Sequence, residues 1–268
     1  MRILFLGDIV GRTARKTVLT KLTYLKQKFL ADITVINVEN AANGRGVTPK
    51  IAKQFFDAGA GVLTTGNHVW DQREIFKFID EEPRLLRPLN MPEGTPGNGM
   101  VELDVKGCGK ILVINAMTNL FMPQNKSVFK ELESSLLNKQ MGSNYKAIMI
   151  DLHGEATSEK IAVGHYFDGK VSMIIGTHTH VPTSDYRILS NGTAFQTDVG
   201  MCGNYNSVIG MNKDIAVRRF FGDKTSLTVA NGEITICGIL VETDNNSGKA
   251  LSIEPIRIGG DLNSTYLD

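Results

Sequence analysis

The stretch Ile3-Leu4-Phe5-Leu6-Gly7-Asp8 decides how this chain is read. Its apolar residues run on without alternation, as in a strand buried on both faces, and it stops on a glycine and an acid. An amphipathic helix is expected from about Thr13 to Phe29. Val35-Ile36-Asn37-Val38 then repeats the pattern and runs into Glu39-Asn40. Thr48-Pro49 is a good helix start, with Thr48 as N-cap and Pro49 at the first helical position, and Gly59 suits the stop. Gly61–Thr65 reads as a third strand and Arg73–Asp80 as a short helix. Apolar strands alternating with helices imply a parallel sheet covered on both faces.

Further along, Pro88, Pro92 and Pro96 mark an irregular connection. Val101–Val105 and Ile111–Asn115 are expected to form an antiparallel pair, followed by a helix near Ser127–Lys139. Lys146–Asp151 reads as a buried strand, Ser158–Phe167 as a helix and Val171–Thr177 as a strand. From Asp185 onward β-signals dominate. Ser226–Ala230 and Glu233–Glu242 flank Asn231-Gly232, a strong hairpin signal. Leu251–Ile258 is expected to add a last strand. No linker, repeat or low-complexity stretch interrupts the chain, so the expectation is one α/β domain over residues 1–268. Its architecture is expected to be an αββα sandwich, two mixed β-sheets flanked by helices with loops meeting along one edge.

Composition narrows the function classes. Among 268 residues, 29 Lys and Arg stand against 28 Asp and Glu, a net charge of +1. That balance gives no bulk attraction to nucleic acid or anionic lipid, so an anionic substrate must be held locally. No basic stripe with interleaved aromatics stands out, and direct sequence-specific nucleic-acid binding is not expected. Cys108, Cys202 and Cys237 form no CxxC and no even set, which points to reduced thiols. The apolar run at the start is too short for a signal peptide, and no segment approaches the roughly 18 apolar residues of a membrane span. A cytoplasmic protein with no membrane partner is expected.

Four of the five histidines stand beside glycines or acids at the ends of apolar runs: Gly66-Asn67-His68, Asp151-Leu152-His153-Gly154 and Gly176-Thr177-His178-Thr179-His180. A lone Asp8 would more often cap a helix, and a lone His153 could equally be a core histidine paired with Asp151. Gly66 is expected to let the chain turn sharply as its strand ends. The two histidines two apart are expected to point the same way on extended chain and to address one centre. His165 has no such company. Gly7–Thr13 fails the Walker A pattern, since position 12 is Arg and no Lys-Ser/Thr follows.

Together these strand ends offer two carboxylates, two amides and three or four imidazoles. That exceeds the needs of one four-coordinate ion, and mixed oxygen and nitrogen donors without thiolate suit two hard-to-borderline divalent ions. Glu39 or Asp8 could bridge them. The two carboxylates do not neutralise two such cations, so the centre favours a bridging hydroxide and an anionic, phosphate-type substrate.

The series Gly7-Asp8, Glu39-Asn40, Gly66-Asn67-His68, His153 and Gly176–His180 resembles the calcineurin-like metallophosphoesterases, and more closely their YmdB-type 2′,3′-cyclic nucleotide phosphodiesterase branch. Branch-like segments also include Pro92–Gly97, Gly154–Lys160 and Thr197–Met201. The resemblance implies one metal on Asp8, Glu39, Asn40 and His180. It implies a second on Glu39, Asn67, His153 and His178, with Glu39 bridging and His68 as proton donor to the leaving oxygen. It further implies iron or manganese, a small-molecule phosphodiester or cyclic nucleotide as substrate, and a homo-oligomer. Position 10 is Val where the superfamily usually has His, with Asn40 in its place. Val69 stands where an acid commonly follows the Asn-His pair, which makes Asp71 the candidate partner of His68. Asn115–Leu120 and His165 depart from the branch and are candidates for the substrate pocket. The rival functions are a phosphomonoesterase on a nucleotide or sugar phosphate, and a metal-stabilised nucleotide-binding regulatory protein.

Overall fold

A computed structural model describes residues 1–266. The chain opens with strand β1 (Arg2–Leu6), the short β2 (Asp8–Ile9), helix α1 (Gly11–Lys28), β3 (Ile33–Asn37), α2 (Pro49–Asp57), β4 (Val62–Thr64) and α3 (Ile75–Glu81). It continues through β5 (Met100–Val105), β6 (Gly109–Met117), α4 (Val128–Leu136), β7 (Ala147–His153), α5 (Thr157–Tyr166) and β8 (Met173–Thr177). The remainder comprises β9 (Arg187–Ile188), β10 (Ala194–Gln196), β11 (Met201–Cys202), α6 (Lys213–Phe220), β12 (Ile236–Thr243) and β13 (Ala250–Ile258).

Two mixed sheets result. One has the order β13-β12-β1-β3-β4 and the other β5-β6-β7-β8-β10-β9, while β2 and β11 form a small ribbon. β1, β3 and β4 are mutually parallel, as are β6, β7 and β8. Their carboxyl ends therefore emerge together, which is where ligands bind in open α/β folds.

Strand alternation assigns each side chain to a layer. Ile3 and Phe5 of β1 point inward and join Val113, Met149 and Ile175 of the facing sheet in a central core. Leu4 and Leu6 point outward beneath Val18 and Leu22 of α1 and Phe55 of α2. On the far side Ile114, Ile148 and Ile174 pack beneath Leu132 of α4 and Val163 of α5. The expected αββα sandwich is the observed one. Thr48 caps α2, its hydroxyl accepting from the Ile51 amide. Cys108, Cys202 and Cys237 are free thiols. Among the described residues no helix is long and apolar enough to cross a membrane.

Two local expectations fail. Asn231-Gly232 does not join a hairpin. Val229 makes a single bridge to Met211, and β12 begins only at Ile236, pairing with β1 and β13. The tertiary partners of β12 override its local turn signal. The region after Asp185 also contains α6, capped by the Asn212 side chain, which accepts from the Asp214 and Ile215 amides. Only Ala216 of this helix is buried, so it carries no apolar stripe for a periodicity argument to detect.

Candidate metal centre

All eight residues singled out above converge at the carboxyl ends of the parallel strands. Asp8 follows β1, Glu39 and Asn40 follow β3, and Asn67 and His68 follow β4. His153 ends β7, and His178 and His180 follow β8. A cavity of about 320 Å³ is lined by five of them, Glu39, Asn40, His68, His178 and His180. Asp8 caps nothing: α1 begins at Gly11 with Val10 as its N-cap and makes no side-chain cap hydrogen bond.

The tightest cluster surrounds His153 Nε2. Glu39 Oε2 lies 2.6 Å away, and Asn67 Oδ1 and His178 Nδ1 both lie at 3.1 Å. The tautomer of His153 follows from its other nitrogen. The Thr177 hydroxyl donates to Asp151 Oδ1 at 2.7 Å, so at 2.9 Å from His153 Nδ1 it can only accept. In neutral His153 that leaves Nε2 as the lone pair, whereas with no cation present the raised pKa lets Nε2 carry a proton toward Glu39 Oε2. Asp151 thus reaches His153 through Thr177 instead of directly.

The second group is looser. Asp8 Oδ2 accepts from the His178 amide at 3.2 Å, while Asp8 Oδ1 lies 4.0 Å from His180 Nε2. His180 Nδ1 donates to the Ile209 carbonyl at 2.8 Å, which turns its Nε2 lone pair toward Asp8. Asp8 Oδ1, Glu39 Oε2 and Asn40 Oδ1 are buried without a hydrogen-bond partner. Orphaned acceptors at this density are expected where cations bind, since each would otherwise be left desolvated and unpaired.

The electrostatics agree. Burial opposes ionisation of Glu39, but the His153 imidazole and the His68 amide outweigh it and hold the carboxyl at about 2. Burial opposes charge on His153, yet the carboxylates of Glu39, Asp8 and Asp151 raise its pKa. Burial and the neighbouring His153 push His178 down to about 3, keeping it a neutral lone-pair donor. Burial also raises the pKa of Asp8. The pocket therefore draws positive charge, and its imidazole nitrogens, amide oxygens and carboxylates match the donors that divalent ions take.

Close approach, not a turn, explains Gly66. It has no left-handed φ, and a Cβ there would fall onto the His153 ring and Glu39 Oε2. The histidine pair also departs from expectation. His178 and His180 are not on extended chain. Their φ values are 100° and 65°, so a left-handed turn sends His178 to His153 and His180 to Asp8. Such backbone costs about 1–3 kcal/mol per residue and persists only where the surroundings over-determine it. Here they do. Asp198 Oδ2 accepts from the Thr179 amide at 3.0 Å, and the Tyr205 hydroxyl donates to the His180 carbonyl at 3.0 Å.

His68 stands apart from the ligand clusters. Its amide donates to Glu39 Oε1 at 2.6 Å, and its Nδ1 lies 3.0 Å from Asp71 Oδ2. Its partly exposed ring lines the cavity with Nε2 left uncommitted.

Several positioning residues escaped the sequence reading. Asn37 accepts from the Glu39 amide at 3.0 Å and donates to Asp151 Oδ2 at 3.0 Å. Glu155 Oε2 lies 3.2 Å from His178 Nε2, which frees Nδ1 to face His153. Glu155 directly follows the His153-Gly154 strand end, a signal that could have flagged it. Conversely, Asn115 is fully buried, with its side-chain oxygen accepting from the Thr65 amide, and His165 is exposed near the end of α5. Neither lines the 320 Å³ cavity.

A family model described as YmdB-like protein matches residues 4–256. The chain belongs to this family. Among YmdB-like relatives, a 2′,3′-cyclic-nucleotide 2′-phosphodiesterase of Bacillus subtilis (strain 168) is 44% identical over 265 residues, covering 97% of this chain and 98% of that protein. The crystal structure of a novel phosphatase from Mycoplasma pneumoniae superposes with a TM-score of 0.90 at 34% identity, covering 97% of this chain and 94% of that one. A hypothetical protein from Thermus thermophilus superposes with a TM-score of 0.89 at 34% identity, covering 97% and 100%.

Proposed function

We propose that this YmdB-like chain is a metal-dependent phosphodiesterase acting on 2′,3′-cyclic nucleotides. The carrying observation is the convergence of Glu39, Asn67, His153 and His178 donor atoms, with Glu39, Asn67 and His178 lying 2.6–3.1 Å from His153 Nε2. Asp8, Asn40 and His180 would hold one ion together with Glu39. Asn67, His153 and His178 would hold the other, with Glu39 shared between them. Two such ions, iron or manganese being the expected pair, would supply hydroxide near neutral pH and offset the charge that develops on the phosphoryl oxygens.

The chain's own residues supply the rest. Glu39, His153 and His178 present lone pairs in fixed orientations, so little reorganisation is needed when ions and substrate bind. His68, held at Nδ1 by Asp71, is positioned to give the proton on Nε2 to the ribose oxygen as the phosphorus–oxygen bond breaks. One oxygen from water joins phosphorus, one ribose hydroxyl is regenerated, and a nucleoside monophosphate leaves. The Bacillus relative is named a 2′-phosphodiesterase, which supports the 2′ oxygen as the leaving group. A single-domain, cytoplasmic homo-oligomer remains the accompanying expectation.

The phosphomonoesterase reading draws on the Mycoplasma relative, described as a phosphatase. The test is turnover by metal-loaded protein of 2′,3′-cyclic AMP, 3′,5′-cyclic AMP, bis-p-nitrophenyl phosphate and p-nitrophenyl phosphate. A preference for the 2′,3′-cyclic diester is expected. Equal or faster turnover of the monoester would defeat the proposal.

A further inference from the structure

The metal cavity does not end at the metal centre. It shares Arg45, Met211 and Leu227 with an adjoining cavity of about 430 Å³, whose lining also includes Asn43, Gln72 and Arg219. That cavity shares Asn43 and Leu227 with a third, of about 340 Å³, which Arg12 lines. A fourth, of about 330 Å³, meets the second at Arg219 and is walled by Ile209, Met211 and Phe220. No carboxylate lines the second, third or fourth. Among the described residues, Arg12, Arg45 and Arg219 enter no ion pair with an acid. In a chain of net charge +1, three guanidiniums without a carboxylate partner along a row of adjoining cavities are a local concentration of positive charge, although Arg219 also donates to the Thr225 carbonyl at 2.9 Å.

Aromatic surface accompanies it. Phe220 and Phe221, directly after Arg218-Arg219 at the end of α6, are each 88% exposed. Exposed rings beside arginines in a groove form the platform on which single-stranded bases stack, while the guanidiniums follow the phosphates. A cyclic mononucleotide carries a single phosphate and would occupy only the metal cavity, leaving Arg12 and Arg219 without a ligand.

We propose that the preferred substrate is a short single-stranded oligoribonucleotide whose 3′ end carries the 2′,3′-cyclic phosphate. This rests on the phosphodiesterase reading above and extends it. The terminal cyclic phosphate lies at the metal centre, upstream phosphates lie on Arg45, Arg219 and Arg12, and a base stacks on Phe220. The reacting atoms are those of the mononucleotide. Water oxygen joins phosphorus, the phosphorus–O2′ bond breaks, O2′ takes the proton, and a 3′-phosphate end remains. RNA cleavage by attack of a 2′-hydroxyl on the adjacent phosphodiester is the class of reaction that supplies such ends. Phosphate and ring-face contacts read no base sequence. The track is thus compatible with the absence of sequence-specific recognition.

The test separates binding from turnover. A fluorescein-labelled tetraribonucleotide 3′-phosphate is titrated into metal-loaded protein, with a nucleoside 3′-monophosphate and its 5′-phosphorylated form as competitors. The kcat/KM for a tetranucleotide with a 2′,3′-cyclic end is compared with that for the cyclic mononucleotide. Binding of the tetranucleotide at least about tenfold tighter is expected, with log affinity falling by about 0.7 per phosphate contact against log salt. Charge reversal by Arg12→Glu with Arg219→Glu, and separately Phe220→Ala, should bring both ratios toward one. Equal affinity for tetranucleotide and mononucleotide overturns the inference. So does a 5′-phosphorylated mononucleotide that matches the tetranucleotide. A Phe220→Ala variant that changes oligomeric state by light scattering yet keeps the tetranucleotide advantage would assign that ring to self-association and overturn its place in the track. Tight tetranucleotide binding without hydrolysis of either substrate would count against the phosphodiesterase reading, not against the track.

Discussion

Lys160 Nζ lies 3.0 Å from Asp198 Oδ2, and neither side chain has exposed surface. The same ammonium donates to the Thr177 carbonyl at 2.7 Å, and the same carboxylate oxygen accepts from the Thr179 amide. One buried ion pair thus grips the histidine turn on both sides of His178.

Removing one partner of such a pair strands the other, at a cost of about 3–5 kcal/mol. Lys160→Met should lower stability by that order in urea unfolding and weaken metal binding. Lys160→Met combined with Asp198→Leu should recover much of the stability but not the metal affinity, because the Thr179 amide stays unanchored. A single variant as stable as the parent would show that the pair does not hold the turn.

His68 and Asp71 give a graded kinetic prediction. His68→Ala should lower kcat by about 10²–10⁴-fold, the usual worth of a positioned proton donor. Asp71→Asn leaves the ring in place and should cost less. Bound metal, counted by elemental analysis, should match the parent in both, since neither side chain belongs to the acceptor clusters. A His68→Ala protein whose activity loss tracks its metal loss would make the residue a ligand.

Thr177→Val keeps the shape of the buried side chain but removes the acceptor for His153 Nδ1–H. Metal affinity should fall about 10–100-fold, the usual effect of losing a group that orients a ligand. Isothermal titration of the metal-free protein measures it. Unchanged affinity would mean that Asp151 and Thr177 do not fix the tautomer.

What could be read beforehand divides along physical lines. Asp8, Glu39, Asn67, His68, His153, His178 and His180 were legible because apolar strands ending on polar residues are a local pattern, and parallel strands deliver their ends to one edge. Lys160 and Asp198 were not, since a lysine on a helix and an acid after a strand say nothing of their meeting across 38 positions. Thr177 gave no sign of its own that it stands between Asp151 and His153. The left-handed backbone at His178 and His180 runs against the local preference for extended chain there, and only tertiary contacts impose it. The exposed helix α6 lacked any periodic stripe, and Arg12, Arg45 and Arg219 are adjacent only in space.

Asp8, Glu39, Asn40, Asn67 and His68 leave one sheet, whereas His153, His178 and His180 leave the other. Between the sheets lies an apolar layer whose attraction has no direction and sets no alignment of its own. Ions shared between the two sets of ligands would join the Asn37–Asp151 hydrogen bond as rivets through that seam, helping to fix which strand end faces which. Ligation and mechanical cohesion then become one quantity. Chelation should loosen the sandwich against shear as well as silence the chemistry, and a chain with only one sheet formed would complete neither set of donors.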